Sequence, residues 1–176
     1  MPKENFGNVE ITDDMLADRS KRIGNLVVDY IICITISIGV GLLGNWLYDT
    51  YGYNGLAVGD FTTMGENHFR FDLLQLFVSI IFYGLFESLL SRTPAKYITD
   101  TKVVMRDGTK PDSTAIFIRT LCRQIPLEAL SFLFGQFAVG WHDRISKTLV
   151  VDVNKYNSAL RKKDSIDTIG EQEADK

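Results

Sequence analysis

The sequence predicts an all-α membrane protein: two transmembrane helices, a shorter third apolar segment, and a small cytoplasmic two-strand element. Three observations predict it. Apolar residues come in blocks of membrane-spanning length, charged residues gather between the blocks, and two short Val-Val runs lie in those charged stretches. Averages conceal this pattern. A chain of 176 residues with 23% charged residues and a net charge of −3, and a mean hydropathy of +0.02, resembles a soluble protein until the distribution is read. The length suits one domain. The near-neutral, slightly acidic balance gives no general attraction to nucleic acid.

Residues 1–18 are polar and acidic, and are expected to form a tail or a short surface helix. Arg19, Lys21 and Arg22 follow, and then Leu26 to Tyr48 runs apolar with one charge, Asp29. At about 1.5 Å per residue that stretch reaches about 35 Å, enough to cross a bilayer core. Gly39, Gly41 and Gly44 offer small surfaces to a neighbouring helix. Trp46 and Tyr48 sit where an interfacial aromatic belt belongs. The run is too long for a signal peptide, is interrupted by an acid, and is followed by no A-x-A site.

Residues 49–71 read as a loop whose only Lys or Arg is Arg70. Leu73 to Leu90 is the second span, with one charge, Glu87. Residues 91–123 are the most basic connection, carrying Arg92, Lys96, Lys102, Arg106, Lys110, Arg119 and Arg123. The positive-inside bias places this stretch and the N-terminus in the cytoplasm and residues 49–71 outside. Anionic lipid headgroups are the expected partner of 91–123. Nucleic acid is not, because Asp100, Asp107 and Asp112 interrupt its charge and membrane spans adjoin it.

Tyr97 to Met105 has strand-forming residues, Asp107-Gly108 is a turn signal, and Ser113 can cap a helix beginning at Thr114. Ile125 to Val139 is the third apolar run, shorter than the roughly 20 residues of a clean span. It is read as re-entrant or interfacial, with a third complete span as the alternative. Lys147 to Val153 is a second strand-like run, expected to pair with residues near 100–105. The organisation is then a tail at 1–18, a membrane domain at 19–153, and a charged, disordered tail at 154–176.

Charges inside a span are costly and point to function. Asp29 lies near the start of the first span and Glu87 near the end of the second. In antiparallel helices both sit at one depth, near the cytoplasmic boundary. Two like charges there call for a cation, and Arg22 and Arg92 are the candidates. Arg22 and Asp29 are about two turns apart on one helix face. Gln75, Ser79, Tyr83 and Glu87 form an i+4 polar ridge that marks a packing seam. The cluster reads either as a proton or cation site at the inner face or as an ion-pair network that fixes helix ends.

Trp141-His142-Asp143-Arg144 follows the third run. Adjacent His and Asp rarely converge on one atom, so no metal site is expected there. Asp143 is expected to accept from Arg groups or backbone N–H. Cys33 and Cys122 lack paired spacing and read as small apolar fillers. No P-loop, GxSxG, HExxH or GxGxxG occurs, so neither an enzyme nor a cofactor is expected.

Four motifs, in order around the apolar blocks, resemble the RDD family of bacterial membrane proteins over about residues 17–153. They are Arg22-Ile-Gly-Asn-Leu-Val-Val-Asp29; Tyr83 with Glu87; Arg92-Thr-Pro-Ala-Lys96 leading to Thr101-Lys-Val-Val104; and His142-Asp143-Arg-Ile-Ser-Lys-Thr148-Leu-Val-Val151. The family's named Arg and two Asp fall on Arg22, Asp29 and Asp143. Ala95 and Lys147 stand where the family commonly has glycine, which puts the local turn geometry in question. The resemblance implies an inner-membrane, multi-pass protein. It also implies either sodium/proton antiport, attributed to some members, or an accessory role. Transport through Arg22, Asp29, Glu87, Arg92 and Asp143 would require a homo-oligomer to enclose a path. A membrane adaptor would dock another membrane protein or cytoplasmic partner instead. A polar seam facing a water-filled interface marks the first; a seam buried within one subunit marks the second.

Overall fold

The structure, a computed structural model, describes residues 6–53, 66–125 and 139–174. Two long antiparallel helices carry a small cap at one end. The first helix, α1, is Arg19–Tyr51, and the second, α2, is Glu66–Leu90. Both exceed the predicted spans. The good helix formers Arg19, Lys21 and Arg22 extend α1 backward, and Gly52 ends it in the left-handed region, its N–H bonding Tyr48 O at 2.9 Å. Residues 66–71, expected in the loop, already belong to α2.

The two helices are polar inside and apolar outside. On α1 the buried residues are Arg22, Asn25, Asp29, Cys33, Ser37, Gly41 and Gly44, a single face of charged, polar or small side chains. Gly39 lies off that face, with open space around it. On α2 the residues Phe69, Leu73, Phe77, Ile81, Leu85 and Leu89 are all exposed, an i+4 ridge of large apolar side chains. Only 22% of the apolar stretch of α1 and 17% of that of α2 is buried, which sets both apart from the core helix of a soluble protein. Between the helices Cys33 packs on Phe82 and Tyr83.

The cap begins where α2 stops. Ser91 takes φ +54°, turning the chain, and Pro94 at the first turn starts α3, Pro94–Ile98. Tyr97 and Ile98, expected in a strand, are therefore helical. Strand β1, Thr101–Met105, follows; then comes α4, Ser113–Cys122, capped by Asp112 rather than Ser113: Asp112 Oδ1 accepts from Ala115 N at 2.7 Å. The third apolar run lies almost wholly outside the described residues, at 126–138. The chain resumes into α5, Trp141–Ile145, and β2, Thr148–Asp152. The strands pair antiparallel, Thr101 opposite Asp152 and Met105 opposite Thr148, as the two Val-Val runs anticipated. Lys147 enters β2 at φ +55°, the left-handed backbone that glycine would favour there, whereas Ala95 sits in ordinary helix within α3.

Neither end of the described chain behaves as a loose tail. Residues from Phe6 onward cross the cap: Val9 N–H bonds Asp107 O at 3.0 Å, and Ala17 N–H bonds Val150 O at 2.9 Å. The C-terminal stretch forms α6, Val153–Ala174, docked through the fully buried Tyr156. The Tyr156 hydroxyl donates to Gly108 O at 2.6 Å and accepts from Gly7 N at 3.0 Å. Gly108 has φ +82°, and a Cβ there would stand 2.6 Å from Val9 O.

Candidate functional site

The polar inner face of α1 meets the cap at its first turns. Lys21 Nζ reaches Asp152 at 2.7 Å. Asn25 bridges both ends of the α3–β1 turn: it donates to Thr101 Oγ1 at 3.0 Å and accepts from Thr99 Oγ1 at 2.7 Å. Arg22 crosses to Asp143 Oδ2 at 2.5 Å, with a further bond to Val150 O at 3.3 Å. Periodicity put Arg22 on the Asp29 face, yet its guanidinium turns to the cap.

Asp143 is fully buried at the start of α5. Besides Arg22 it accepts from Arg119 Nη1, from the Gly140 N–H at 3.3 Å, and stands 3.2 Å from His142 Nε2. Burial pushes its pKa upward, but the adjoining charges of Arg119, His142 and Arg22 outweigh that and hold it well below the ordinary 3.8.

Glu87, also fully buried, accepts from three cations: Lys96 Nζ at 2.8 Å, Arg119 Nε at 2.9 Å and Arg123 Nη2 at 3.0 Å. Burial draws the pKa of Lys96 below its ordinary 10.5 despite Glu87 beside it. Arg119 thus holds one carboxylate with Nε and another with Nη1, joining α2, α4 and α5 in one network. Arg123 also lies over the Tyr83 ring, 4.2 Å from its centroid.

Asp29 is held differently. Thr93 Oγ1 donates to it at 2.6 Å and the Ala95 N–H at 3.4 Å. Among the described residues no cation lies within 4 Å of its carboxylate. It and Glu87 both meet the 93–96 segment, one through Thr93 and the other through Lys96.

Arg92, a sequence candidate for the bridging cation, packs instead over Tyr97, 5.2 Å from the ring centroid. The bridging cations are Arg119, Arg123 and Lys96. Arg119 left one trace in the sequence: it shares a helical face with the apolar Ala115 and Ile116, and all three are buried. The basic 91–123 stretch is consequently less of a headgroup-facing loop than expected, since Lys96, Lys102 and Arg119 are buried. Lys102 sits over the rings of Tyr156 and Phe6, at 3.9 and 4.5 Å.

Beside the network lies a cavity of about 370 Å³. The α2 seam lines it through Gln75, Ser79 and Tyr83, together with Asp29, Arg119 and Arg123. Ser79 Oγ stands 3.2 Å from Gln124 Oε1, just beyond the end of α4. Among the described residues, no three His, Cys, Asp or Glu side chains gather as a metal site.

No curated protein and no solved structure matches the chain. The model of the RDD family matches residues 16–150.

Proposed function

The chain belongs to the RDD family, and from that footing we propose that it is a non-enzymatic, multi-pass inner-membrane protein that anchors a cytoplasmic cap for a partner. The N-terminus and the strand pair lie on the cytoplasmic side in this reading. Two apolar helices with exposed apolar ridges and a buried polar face support the membrane location. The basic residues gathered at the cap end support the orientation.

One observation carries the anchoring role. Glu87 and Asp143 are saturated by cations of the same chain, and the α2 seam faces that chain's own α1 and α4. Buried pairs of this kind define structure and cost several kcal/mol to break; they leave no vacant carboxylate for a passing cation. A second reading, cation or proton exchange, draws on Asp29 alone, the acid on the cavity wall without a direct ion pair. Sodium- and proton-driven flux into proteoliposomes of the purified chain separates the two. Flux no greater than in empty vesicles agrees with the anchor. Flux that disappears in Asp29→Asn overturns it.

A further inference from the structure

The three short helices of the cap bury charge and expose large apolar side chains. Helix α3 buries Lys96 and exposes Tyr97 and Ile98; α4 buries Arg119 and exposes Phe117 and Leu121; α5 buries Asp143 and exposes Trp141 and Ile145. Ile98 is 75% exposed and Phe117 61%. A helix that meets water carries the opposite pattern, apolar toward the core and charged outside. The other side of the cap follows that ordinary rule. There α6 turns Tyr156 inward and Arg161, Lys162 and Lys163 outward, and the turn after β1 exposes Arg106, Asp107 and Lys110. The cap thus has two faces of opposite polarity.

Contacts with the long helices fix the level of the apolar face. On α2, Arg119 Nε reaches Glu87 at 2.9 Å, the Arg123 guanidinium lies over the Tyr83 ring, and Gln124 stands 3.2 Å from Ser79. Glu87 and Ser79 are about 12 Å apart along the helix axis, at about 1.5 Å per residue. Helix α4 is therefore not stacked on the end of α2. It runs beside the apolar stretch of α2, at the level where Ile81 and Leu85 are exposed. Helix α3 meets α1 in the same way. Thr93 Oγ1 donates to Asp29 at 2.6 Å and Thr99 Oγ1 to Asn25 at 2.7 Å, the level of the exposed Val27 and Tyr30. Helix α5 is tied to α4 by the pair of Arg119 and Asp143.

We propose that the apolar face of α3, α4 and α5 is immersed in the acyl chains of the cytoplasmic leaflet, a placement that rests on the membrane location proposed above and not on the anchoring role. The membrane boundary then passes through the cap, with the helices on its lipid side and the strands and α6 on its water side. The acyl chains that meet Ile81 and Leu85 on α2 also meet Phe117 and Leu121 on α4. A soluble partner could cover those residues only by displacing lipid at that level. On α5 the exposed Trp141 and Arg144 suit the headgroup boundary, a ring for the chains and a cation for the phosphates. The network of Glu87, Arg119 and Asp143 stands behind this face. Charges at that depth are costly unless matched within the protein, as these are.

The test uses the purified full chain in lipid nanodiscs, whose two faces are both open to solution. The chain has two tryptophans, so Trp46→Phe leaves Trp141 as the reporter of α5. With Trp46→Phe and Trp141→Phe combined, three further substitutions are added one at a time. Phe117→Trp reports α4, Ile81→Trp reports the α2 ridge, and Lys110→Trp reports the water side of the cap. Emission is read with phosphatidylcholine brominated on its acyl chains and, separately, with iodide in solution. Trp141 and Phe117→Trp should lose emission to the brominated lipid as strongly as Ile81→Trp does, and be spared by iodide. Lys110→Trp should show the reverse. If the lipid quenches Ile81→Trp while iodide quenches Trp141 or Phe117→Trp, the membrane location stands and the immersed face is overturned. If neither quencher reaches Trp141 or Phe117→Trp, a second copy of the chain covers that face, which also overturns it. If the lipid fails to quench Ile81→Trp, the membrane location itself falls and the immersed face with it.

Discussion

Arg22 and Asp143 are separated by 121 residues in the chain and by 2.5 Å in space. The pair closes the cap onto the first turns of α1, and Arg119 completes it from the other side. Because Asp143 is fully buried, Asp143→Asn would leave the Arg22 guanidinium without a carboxylate and Arg119 with Glu87 alone. We expect a loss on the order of 3–5 kcal/mol, read from denaturant unfolding in detergent. Arg22→Met combined with Asp143→Asn should cost less than the sum of the single changes. Additive costs would mean that the two residues do not interact.

The same carboxylate makes stability depend on pH. Its folded pKa is depressed, so its contribution is complete above the unfolded value near 3.8 and disappears as pH falls through the folded one. Stability should hold flat for this group from neutral pH to about pH 4, then drop steeply. In Asp143→Asn the acid limb should be shallower. An identical acid limb in both proteins would refute the assignment.

Much of this architecture was legible in the sequence, and what was hidden is tertiary. Asp29 and Glu87 stand out because each is the lone charge in its apolar block, and the Val-Val runs announce a pairing that the ladder realises. Arg119 was obscured because six other basic residues surround it in the 91–123 stretch. Nothing local says that it meets Glu87 at a separation of 32 residues and Asp143 at 24. Arg92 lies nearer Glu87 in sequence, but the turn at Ser91 carries it to Tyr97 instead. The α6 segment reads as polar and disordered because its docking rests on a few side chains, Tyr156 and Leu160 among them, that find partners only once the cap has formed.

Lys147 tests the backbone argument. Its side chain is exposed while its φ is +55°, a region that costs a residue with a Cβ roughly 1–2 kcal/mol. Glycine removes that cost and returns part of it as chain entropy. Lys147→Gly should raise stability by about 0.5–1 kcal/mol. Gly108→Ala should do the opposite, by at least about 1 kcal/mol, since its Cβ would collide with the Val9 carbonyl. A destabilised Lys147→Gly would show that the side chain, not the backbone, matters there.

Tyr156 holds both ends of the chain on the cap. Tyr156→Phe leaves the Gly108 carbonyl and the Gly7 N–H without their partner, at a cost of about 1–3 kcal/mol. Limited proteolysis should then cut within residues 6–12 faster than in the parent protein. Unchanged cleavage would place the hold on the N-terminal segment elsewhere, such as at Val9 and Asp107.

Orientation is checked by labelling. Tyr51 and Lys110 are exposed at opposite ends of the helix pair. A membrane-impermeant thiol reagent added to intact cells should modify Tyr51→Cys and leave Lys110→Cys unmodified until the cells are opened. The reverse pattern would invert the protein and place the strand pair outside.

Asp29 separates structure from transport. Its carboxylate is buried, but a hydroxyl and a backbone N–H hold it, rather than an arginine. Asparagine keeps an oxygen for the Ala95 N–H, and its NH₂ can donate to the Thr93 hydroxyl. Asp29→Asn should therefore cost about 1–2 kcal/mol, a hydrogen-bond adjustment, and clearly less than Asp143→Asn. A loss as large as that of Asp143→Asn would mean that Asp29 balances the charge of Lys96 and the arginines at longer range. The folded Asp29→Asn protein then gives a clean reading of function. If the chain only anchors its cap, ion flux is absent from parent and variant alike while the assembled protein persists in the membrane. If the parent moves protons and Asp29→Asn stops them without unfolding, the unpaired acid on the cavity wall is the carrier and the anchoring role gives way.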